Sequence, residues 1–310
     1  MPKRKQEMQF RYYEMPEDSF VLSLTGQSWV RKYGDGIASL HFHNYLEIGV
    51  CYEGTGEMIY DEQVFQFKPG CYTIIPPNYP HTTNSTPGTY GFWEYLFVDC
   101  EGIMNRIYPK KKETMNRALQ LLYQKAYFFQ PGEMPTLREN IDHVFKEQKE
   151  KRDFYKQESD GYLALILIDV IRMAAAELHE ETPQAHGDLD RILPALNYIH
   201  EHFREEVYIQ KLAEVCALSE THFRRIFTES MHLSPLDYLN SVRIHNACIE
   251  LRSSKKTIRS VAFDNGFTSI STFQRNFHKF VGMSTNEWRF DPKNYEYKLN
   301  NFKINTYEGW

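Results

Sequence analysis

The sequence predicts a multidomain α+β protein: a β-barrel or sandwich, helices that follow it, and an all-α domain that closes the chain. Three observations carry this. Short runs rich in β-branched and aromatic residues alternate with Gly and Pro turn signals between residues 20 and 100. Helical periodicity takes over from Glu113. Near the C-terminal end one stretch of roughly fifty residues occurs twice. The 310 residues exceed what one hydrophobic core usually organises, and 42% hydrophobic with 25% charged residues is a globular composition.

The expected strands are Ile37–Phe42, Leu46–Tyr52, Gly56–Tyr60, Val64–Phe67, Tyr72–Ile75 and Tyr90–Val98. Turns at Gly54, Pro69-Gly70, Pro76-Pro77-Asn78 and Pro87-Gly88 separate most of them. Helices are expected over Thr114–Phe129, Leu137–Glu150 and Tyr162–Glu180. In the last of these, Leu163, Ile166, Leu167, Val170, Ile171 and Ala174 form a stripe that its own barrel or a second copy could bury. The most apolar window, Tyr162–Leu178, is broken by Asp169 and Arg172 and is too short for a bilayer, so no membrane role is expected. The polar segment around Pro183 and Gly187 reads as a linker. The domain layout is therefore a barrel with an N-terminal arm over 1–112, helices over 113–182, a linker over 183–190, an all-α domain over 191–290, and an unassigned tail over 291–310.

A formal net charge of −5 gives no global reason to expect nucleic-acid binding. The acidity is local: residues 1–189 hold 20 Lys and Arg against 27 Asp and Glu, whereas residues 190–290 hold 13 against 11. The five cysteines, Cys51, Cys71, Cys100, Cys216 and Cys248, contain no CxxC pair and read as reduced core thiols. Met-Pro-Lys-Arg-Lys at the N-terminus is followed by polar residues rather than a signal-peptide stretch. A cytoplasmic protein is expected.

The repeat aligns Ile209–Ser219 with Ile258–Thr268, and His222–Phe227 with Thr272–Phe277. Each copy has helix-turn-helix logic. Ala213 and Ala262 let the first helix lie close to the second, and Ala217 and Gly266 occupy a turn that favours positive φ. Ser219, and Ser269 or Thr268, stand at the N-cap of the second helix. Phe223, Ile226 and Phe227, like Phe273 and Phe277, face inward. Thr221, Arg224, Arg225 and Thr228 in one copy, and Ser271, Gln274 and Arg275 in the other, remain for contacts. Arg pairs bidentately with guanine, Gln with adenine, and Thr touches a thymine methyl or a phosphate.

Residues 191–290 resemble the DNA-binding domain of AraC/XylS-type transcriptional regulators, two helix-turn-helix units joined by a helix, here Leu236–Leu251. Gly266, Phe267, Phe277, Gly282 and Ser284 match that family's closing signature. The resemblance implies that both second helices enter successive major-groove segments of double-stranded DNA, with Thr221, Arg224, Arg225, Gln274 and Arg275 reading bases. Thr228, Ser271 and Lys279 complete the expected DNA-binding set, Lys279 with Lys255 and Lys256 as phosphate contacts. The departures are His232 and Ala217 where the family usually has Gly, and Thr285 for a common Pro.

In the N-terminal part, Gly36, His41, His43, Glu47 and Gly54 are followed by Gly70, Pro76 and His81. In an extended strand, residues 41, 43, 45 and 47 share a face, so imidazoles and a carboxylate converge, and His81 could join them. Three His and one carboxylate suit a divalent transition metal. The stretch resembles both motifs of the cupin barrel. It departs in having four residues rather than five between Gly36 and His41, Asn78 for an internal Gly, and Asn84 displaced by one. A small-molecule pocket is the leading reading, a metal held by His41, His43, Glu47 and His81 the second, and plain core packing the third. The expected effector-binding residues are Trp29, Arg31, His41, His43, Tyr45, Glu47, His81, Trp93 and Tyr95, and Tyr79 and Glu94 are further candidates for the pocket.

Together the resemblances imply a ligand-responsive, sequence-specific DNA-binding regulator rather than an enzyme, probing a sugar or related small molecule to control catabolic or transport genes. A homodimer formed through the sensor domain is implied, with the helical segment 113–182 as its dimerisation element and burial of the 163–174 stripe against a second copy as the favoured outcome, and RNA polymerase is a partner if the protein is an activator. The basic arm Pro2–Lys5 is a candidate for a ligand-released contact. The rival class is a cupin metalloenzyme fused to a DNA-binding domain.

Overall fold

The structure is a computed structural model, and it describes residues 9–11, 13, 15, 16, 18–34, 41–60, 63–77, 79–180, 188–231, 233–281 and 283–290. The arm Pro2–Lys5, Gly36, Asn78, Pro183, Gly187, His232, Gly282 and the tail 291–310 lie outside the described residues. Two compact units are present, centred on Tyr13–Gln184 and Ala185–Asn294.

The strands in chain order are β1 (Gln9–Arg11), β2 (Val21–Leu24), β3 (Val30–Arg31), β4 (His41–His43), β5 (Leu46–Glu53), β6 (Gly56–Tyr60), β7 (Gln63–Phe67), β8 (Tyr72–Ile75), β9 (His81–Ser85), β10 (Gly91–Val98) and β11 (Tyr127–Phe129). β4, β9, β6 and β7 lie side by side in one sheet. β11, β8, β5, β10 and β2 form the other, with β3 also on β10. Side chains meet across the two sheets: Phe67 of β7 packs on Trp93 of β10 at 5.1 Å, and His43 of β4 on Phe97 of β10 at 5.1 Å.

Strand alternation sorts β5 and β10 into two faces. Leu46, Ile48, Val50, Leu96 and Val98 join one apolar core with the helices. Glu47, Gly49 and Cys51 lie directly opposite Phe97, Tyr95 and Trp93 on the inner face. Gly49 is required there, because a Cβ would stand 2.8 Å from Thr73 Oγ1 and 3.3 Å from the Tyr95 ring.

Helices α1 (Cys100–Ile107), α2 (Lys112–Leu122), α3 (Pro135–Glu150) and α4 (Tyr155–Glu180) pack on the outer face. The α4 stripe is spent within the chain: Leu163, Ile166, Leu167 and Val170 are fully buried in this core, and Ile171 packs against it. The favoured expectation that a second copy buries this stripe is corrected: these residues are already covered within the chain, because α1, α2 and α3 pack against α4 in the same core. The helix expected over Thr114–Phe129 is corrected at its end. It stops at Leu122, and Tyr127–Phe129 pair with Tyr72–Ile74 as a strand, because three consecutive aromatics satisfy an available sheet edge. Helix α1, not expected from periodicity, is announced by Asp99, whose side chain accepts from Gly102 N at 3.0 Å.

The second unit holds α5 (Asp188–His202), α6 (Ile209–Val215), α7 (Glu220–Met231), α8 (Pro235–Ser253), α9 (Ile258–Asp264), α10 (Ile270–Val281) and α11 (Thr285–Phe290). Asp188–Asp190, read as linker, already belong to α5. Pairs α6/α7 and α9/α10 are the two copies, and α8 joins them. Residues 221–230 and 271–280 follow the same sequence of buried and exposed positions, residue for residue. Phe223, Ile226, Phe227, Phe273 and Phe277 are fully buried.

Both turns adopt the left-handed backbone, Ala217 at φ 52° and Gly266 at φ 81°. At Gly266 a Cβ would stand 2.5 Å from Phe203 O and 2.9 Å from Arg243 Nε, and Arg243 Nε donates to that same carbonyl at 2.7 Å. Glycine is therefore required by close approach at the second turn, while the first turn tolerates alanine. Ser219 and Ser269 cap their helices, accepting from His222 N at 3.4 Å and Thr272 N at 3.2 Å. Ser234 caps α8, and Ser284 with Glu287 forms a reciprocal capping box at α11, which starts with Thr285 in place of the commoner Pro.

Cys51, Cys71, Cys100 and Cys248 are buried free thiols, and Cys216 is half-buried. Among the described residues no helix is long and apolar enough to cross a membrane.

Candidate functional site

The barrel interior holds a buried cluster of three imidazoles and a carboxylate. His41 on β4 pairs in register with His81 on β9, and their rings lie 4.2 Å apart. His43 lies 4.9 Å from His81, ring to ring. Glu47 on β5 reaches both neighbours: its Oε2 is 3.1 Å from His43 Nε2 and its Oε1 is 3.6 Å from His81 Nε2.

One continuous strand from 41 to 47 is not what brings them together. The chain bends at Asn44-Tyr45, between β4 and β5, and Asn44 fixes the bend by accepting from Tyr13 N and donating to Tyr13 O, both at 2.8 Å. Tyr45 is accordingly half-exposed and contributes its carbonyl rather than its ring, accepting from His43 Nδ1 at 2.8 Å. Tyr79 O does the same for His81 Nδ1 at 2.9 Å.

These two bonds decide the protonation of the rings. A carbonyl only accepts, so each Nδ1 carries the hydrogen and each Nε2 turns toward Glu47. An Nε2 and a carboxylate oxygen facing each other are both acceptors until a proton or a cation stands between them. Burial pushes the His43 imidazole down, against the pull of Glu47. Burial alone would raise the Glu47 carboxyl, but the charge of His81 and hydrogen bonds from His43 and His81 outweigh it and hold the group low.

One donor atom each from His41, Glu47 and His81 lies within 4.8 Å of the others, all three residues being buried. Imidazole and carboxylate suit a divalent transition metal, and ring nitrogens locked by backbone carbonyls are the outer contacts that metal-binding histidines commonly have. The residues present therefore fit such an ion, with His43 beside the three.

An aromatic wall adjoins the cluster. Trp93 and Tyr95 are buried and stacked at 6.2 Å, and Trp29 meets Tyr95 edge-on at 5.6 Å. Arg31 is buried with its guanidinium 4.1 Å from the Trp29 ring and 5.0 Å from that of Tyr33. Tyr33 was missed in the sequence. Its hydroxyl donates to Trp29 O at 2.8 Å, and burial raises its phenol against the lowering charge of Arg31. Tyr13, also missed, stacks on Phe97 at 3.8 Å. Glu94 is not part of the interior. It points to the helical side, where Lys149 Nζ stands 2.5 Å from its Oε2 and Gly26 N donates to its Oε1 at 2.9 Å.

The second unit offers a different kind of surface. Thr221, Arg224, Arg225 and Thr228 on α7, and Ser271, Gln274, Arg275 and Lys279 on α10, are all exposed. Arg225 Nη1 lies 2.6 Å from Glu229 Oε2, Arg224 Nη2 3.7 Å from Glu220 Oε2, and Lys279 Nζ 2.6 Å from Asp237 Oδ1 of α8. Lys256, expected at phosphates, instead bridges Glu250 and Asp264 and ties α8 to α9.

Comparison with known proteins gives a domain assignment for each half. The family model of a helix-turn-helix domain matches residues 212–290, and that of a cupin domain matches residues 29–89. An uncharacterized HTH-type transcriptional regulator of Staphylococcus aureus (strain MSSA476) is 33% identical over 102 residues, which is 33% of this chain. That match spans only 14% of the relative's length. The uncharacterized HTH-type transcriptional regulator YbfI of Bacillus subtilis (strain 168) is 23% identical over 231 residues, 74% of this chain and 79% of the relative. Among solved structures, ToxT from Vibrio cholerae covers 87% of this chain and 96% of its own at 13% identity and a TM-score of 0.43. The chain thus joins a region that matches a cupin domain, residues 29–89, to one that matches a helix-turn-helix domain, residues 212–290, and both relatives above carry the name of HTH-type transcriptional regulators.

Proposed function

We propose that the protein binds specific DNA sequences through α7 and α10 and that a small molecule entering the cupin domain controls this binding. The observation that carries the DNA reading is the duplicated exposed face: two capped helices with the same burial order, each presenting side chains suited to base edges. The buried imidazoles, carboxylate, guanidinium and aromatic rings support the sensor reading, because such a mix of polar anchors and flat faces suits a polar ring compound such as a sugar. Switching requires that the effector bind two arrangements of the protein with different affinity; tight binding alone shifts nothing.

A divalent metal held by His41, Glu47 and His81, with His43 adjacent, would give an effector oxygen a Lewis-acid contact. The rest of the scheme extends the same reading: a cytoplasmic homodimer that regulates catabolic or transport genes and, as an activator, engages RNA polymerase. The test is selection of duplexes from a random pool at moderate salt, with and without a panel of sugars. Enrichment of a defined sequence is expected, and a pool that stays random overturns the proposal. The His–Glu cluster also favours a second reading, a metalloenzyme fused to a DNA-binding domain. Stoichiometric metal that disappears in His43→Ala, together with turnover of a sugar or small acid, would establish it, and metal-free purified protein would remove it.

A further inference from the structure

The two second helices differ in charge at matched positions. The repeat places Arg224 against Gln274, Arg225 against Arg275, Glu220 against Ile270 and Glu229 against Lys279. The arginine shared by both copies thus has a carboxylate one turn away in α7 and an ammonium one turn away in α10. On α7 both arginines are held by carboxylates of their own helix, Arg225 by Glu229 at 2.6 Å and Arg224 by Glu220 at 3.7 Å. α10 contains no carboxylate at all, and Lys279 leans on Asp237 of α8 instead.

We propose that Glu220 and Glu229 are specificity-determining residues: α7 discriminates between sequences, whereas α10 holds DNA with little regard to sequence. This rests on the DNA-binding reading above. On unmatched DNA the carboxylates face phosphates and repel them, while the arginines they hold offer the backbone little net positive charge. On a matching sequence the repulsion is offset, because a guanidinium that pairs bidentately with guanine, or a carboxylate that accepts from the cytosine amino group, gains what a phosphate contact does not supply. Each pair is about half exposed, so exchanging the carboxylate for a base edge costs little. α10 carries Arg275 and Lys279 without this opposing charge and attracts phosphates wherever it docks.

The experiment compares full-length protein with its Glu229→Gln and Glu229→Lys variants on the duplex enriched by selection and on a scrambled duplex of equal composition. Glu229→Gln is expected to raise affinity for the scrambled duplex about three- to fivefold and for the selected duplex less, so that the ratio between them falls. Glu229→Lys is expected to lower the ratio further. Glu214→Gln on α6 removes the same charge from the same unit, away from the contact face, and is expected to leave the ratio unchanged. Equal gains on both duplexes, or the same fall in Glu214→Gln, would reduce the effect to bulk charge and overturn the inference. If selection enriches no duplex, it is the DNA-binding reading that fails; an enriched duplex whose ratio survives Glu229→Gln removes only the division of roles. Unchanged melting temperatures separate these outcomes from loss of fold.

Discussion

The barrel cluster and the helix-turn-helix faces solve the problem of building a site in opposite ways. In the barrel, His41, His43, Glu47 and His81 are buried and interlocked, each imidazole or carboxylate within reach of the next. On α7 and α10 the candidate readers are exposed, and the aromatics behind them hold the fold. Changing a residue of the first kind leaves a buried polar partner unmatched and so bears on stability as well as on binding. Changing a residue of the second kind does not, so its effect on binding should be readable without a stability correction.

The largest effect that would test this contrast is in the cores behind the faces. Phe227→Ala or Phe277→Ala, each deleting a fully buried ring, should destabilise the helical unit by about 3–5 kcal/mol and abolish DNA binding through loss of fold. Calorimetry showing a shift far smaller than this would mean that the two copies repack freely. Glu47→Ala should come next. Removing one partner from a buried, interacting polar set typically costs up to about 3–5 kcal/mol. The barrel transition should move down in temperature while affinity for a strong operator stays largely intact.

Arg225→Ala and Arg275→Ala should leave melting within about 0.5 kcal/mol of the parent, as surface changes do. Arg225→Ala should cost about 1–3 kcal/mol of binding at particular base pairs, whereas Arg275→Ala, on the helix that holds DNA with little regard to sequence, should weaken binding to all sequences alike. Equal loss on every sequence in Arg225→Ala would show phosphate contact alone there, and base-specific loss in Arg275→Ala would contradict the division of roles between the two helices. The smallest effect is one of pH. His245 on α8 is pushed down to about 3, chiefly by burial and then by neighbouring His200. The unfolded chain therefore takes up a proton below about 6.5 that the folded unit refuses, so its stability should fall as pH drops from that value and level off near the folded one. A helical unit whose melting is flat between pH 7 and 4 would contradict this burial.

How much of this could be read in advance follows from how far apart in sequence the parts of each site lie. A helix-turn-helix is local: cap, turn and apolar spacing fall within one short stretch, and Ser219, Ala217, Gly266 and the exposed face were all legible there. The barrel cluster draws on β4, β5 and β9, and residue types named its members without giving the geometry. The bend at Asn44-Tyr45 was hidden because it depends on Tyr13, thirty-one residues away. Strand alternation places Glu94 on the face opposite Trp93 and Tyr95, but which face meets the helices depends on distant partners such as Lys149 on α3. Tyr127–Phe129 fits both helical and extended spacing, and only the free edge of β8 decides it.

That direction of Glu94 has a mechanical meaning. On β10 it stands between Trp93 and Tyr95, which line the interior, while its own carboxylate grips Gly26 and Lys149 outside. A guest wedged against either ring and a tug on the final turn of α3 would therefore lever the same few peptide units, like two hands on one crank. Glu94→Gln should accordingly quicken amide exchange in that turn of α3 and leave β4 unaltered; identical exchange in both proteins would show the crank to be disconnected.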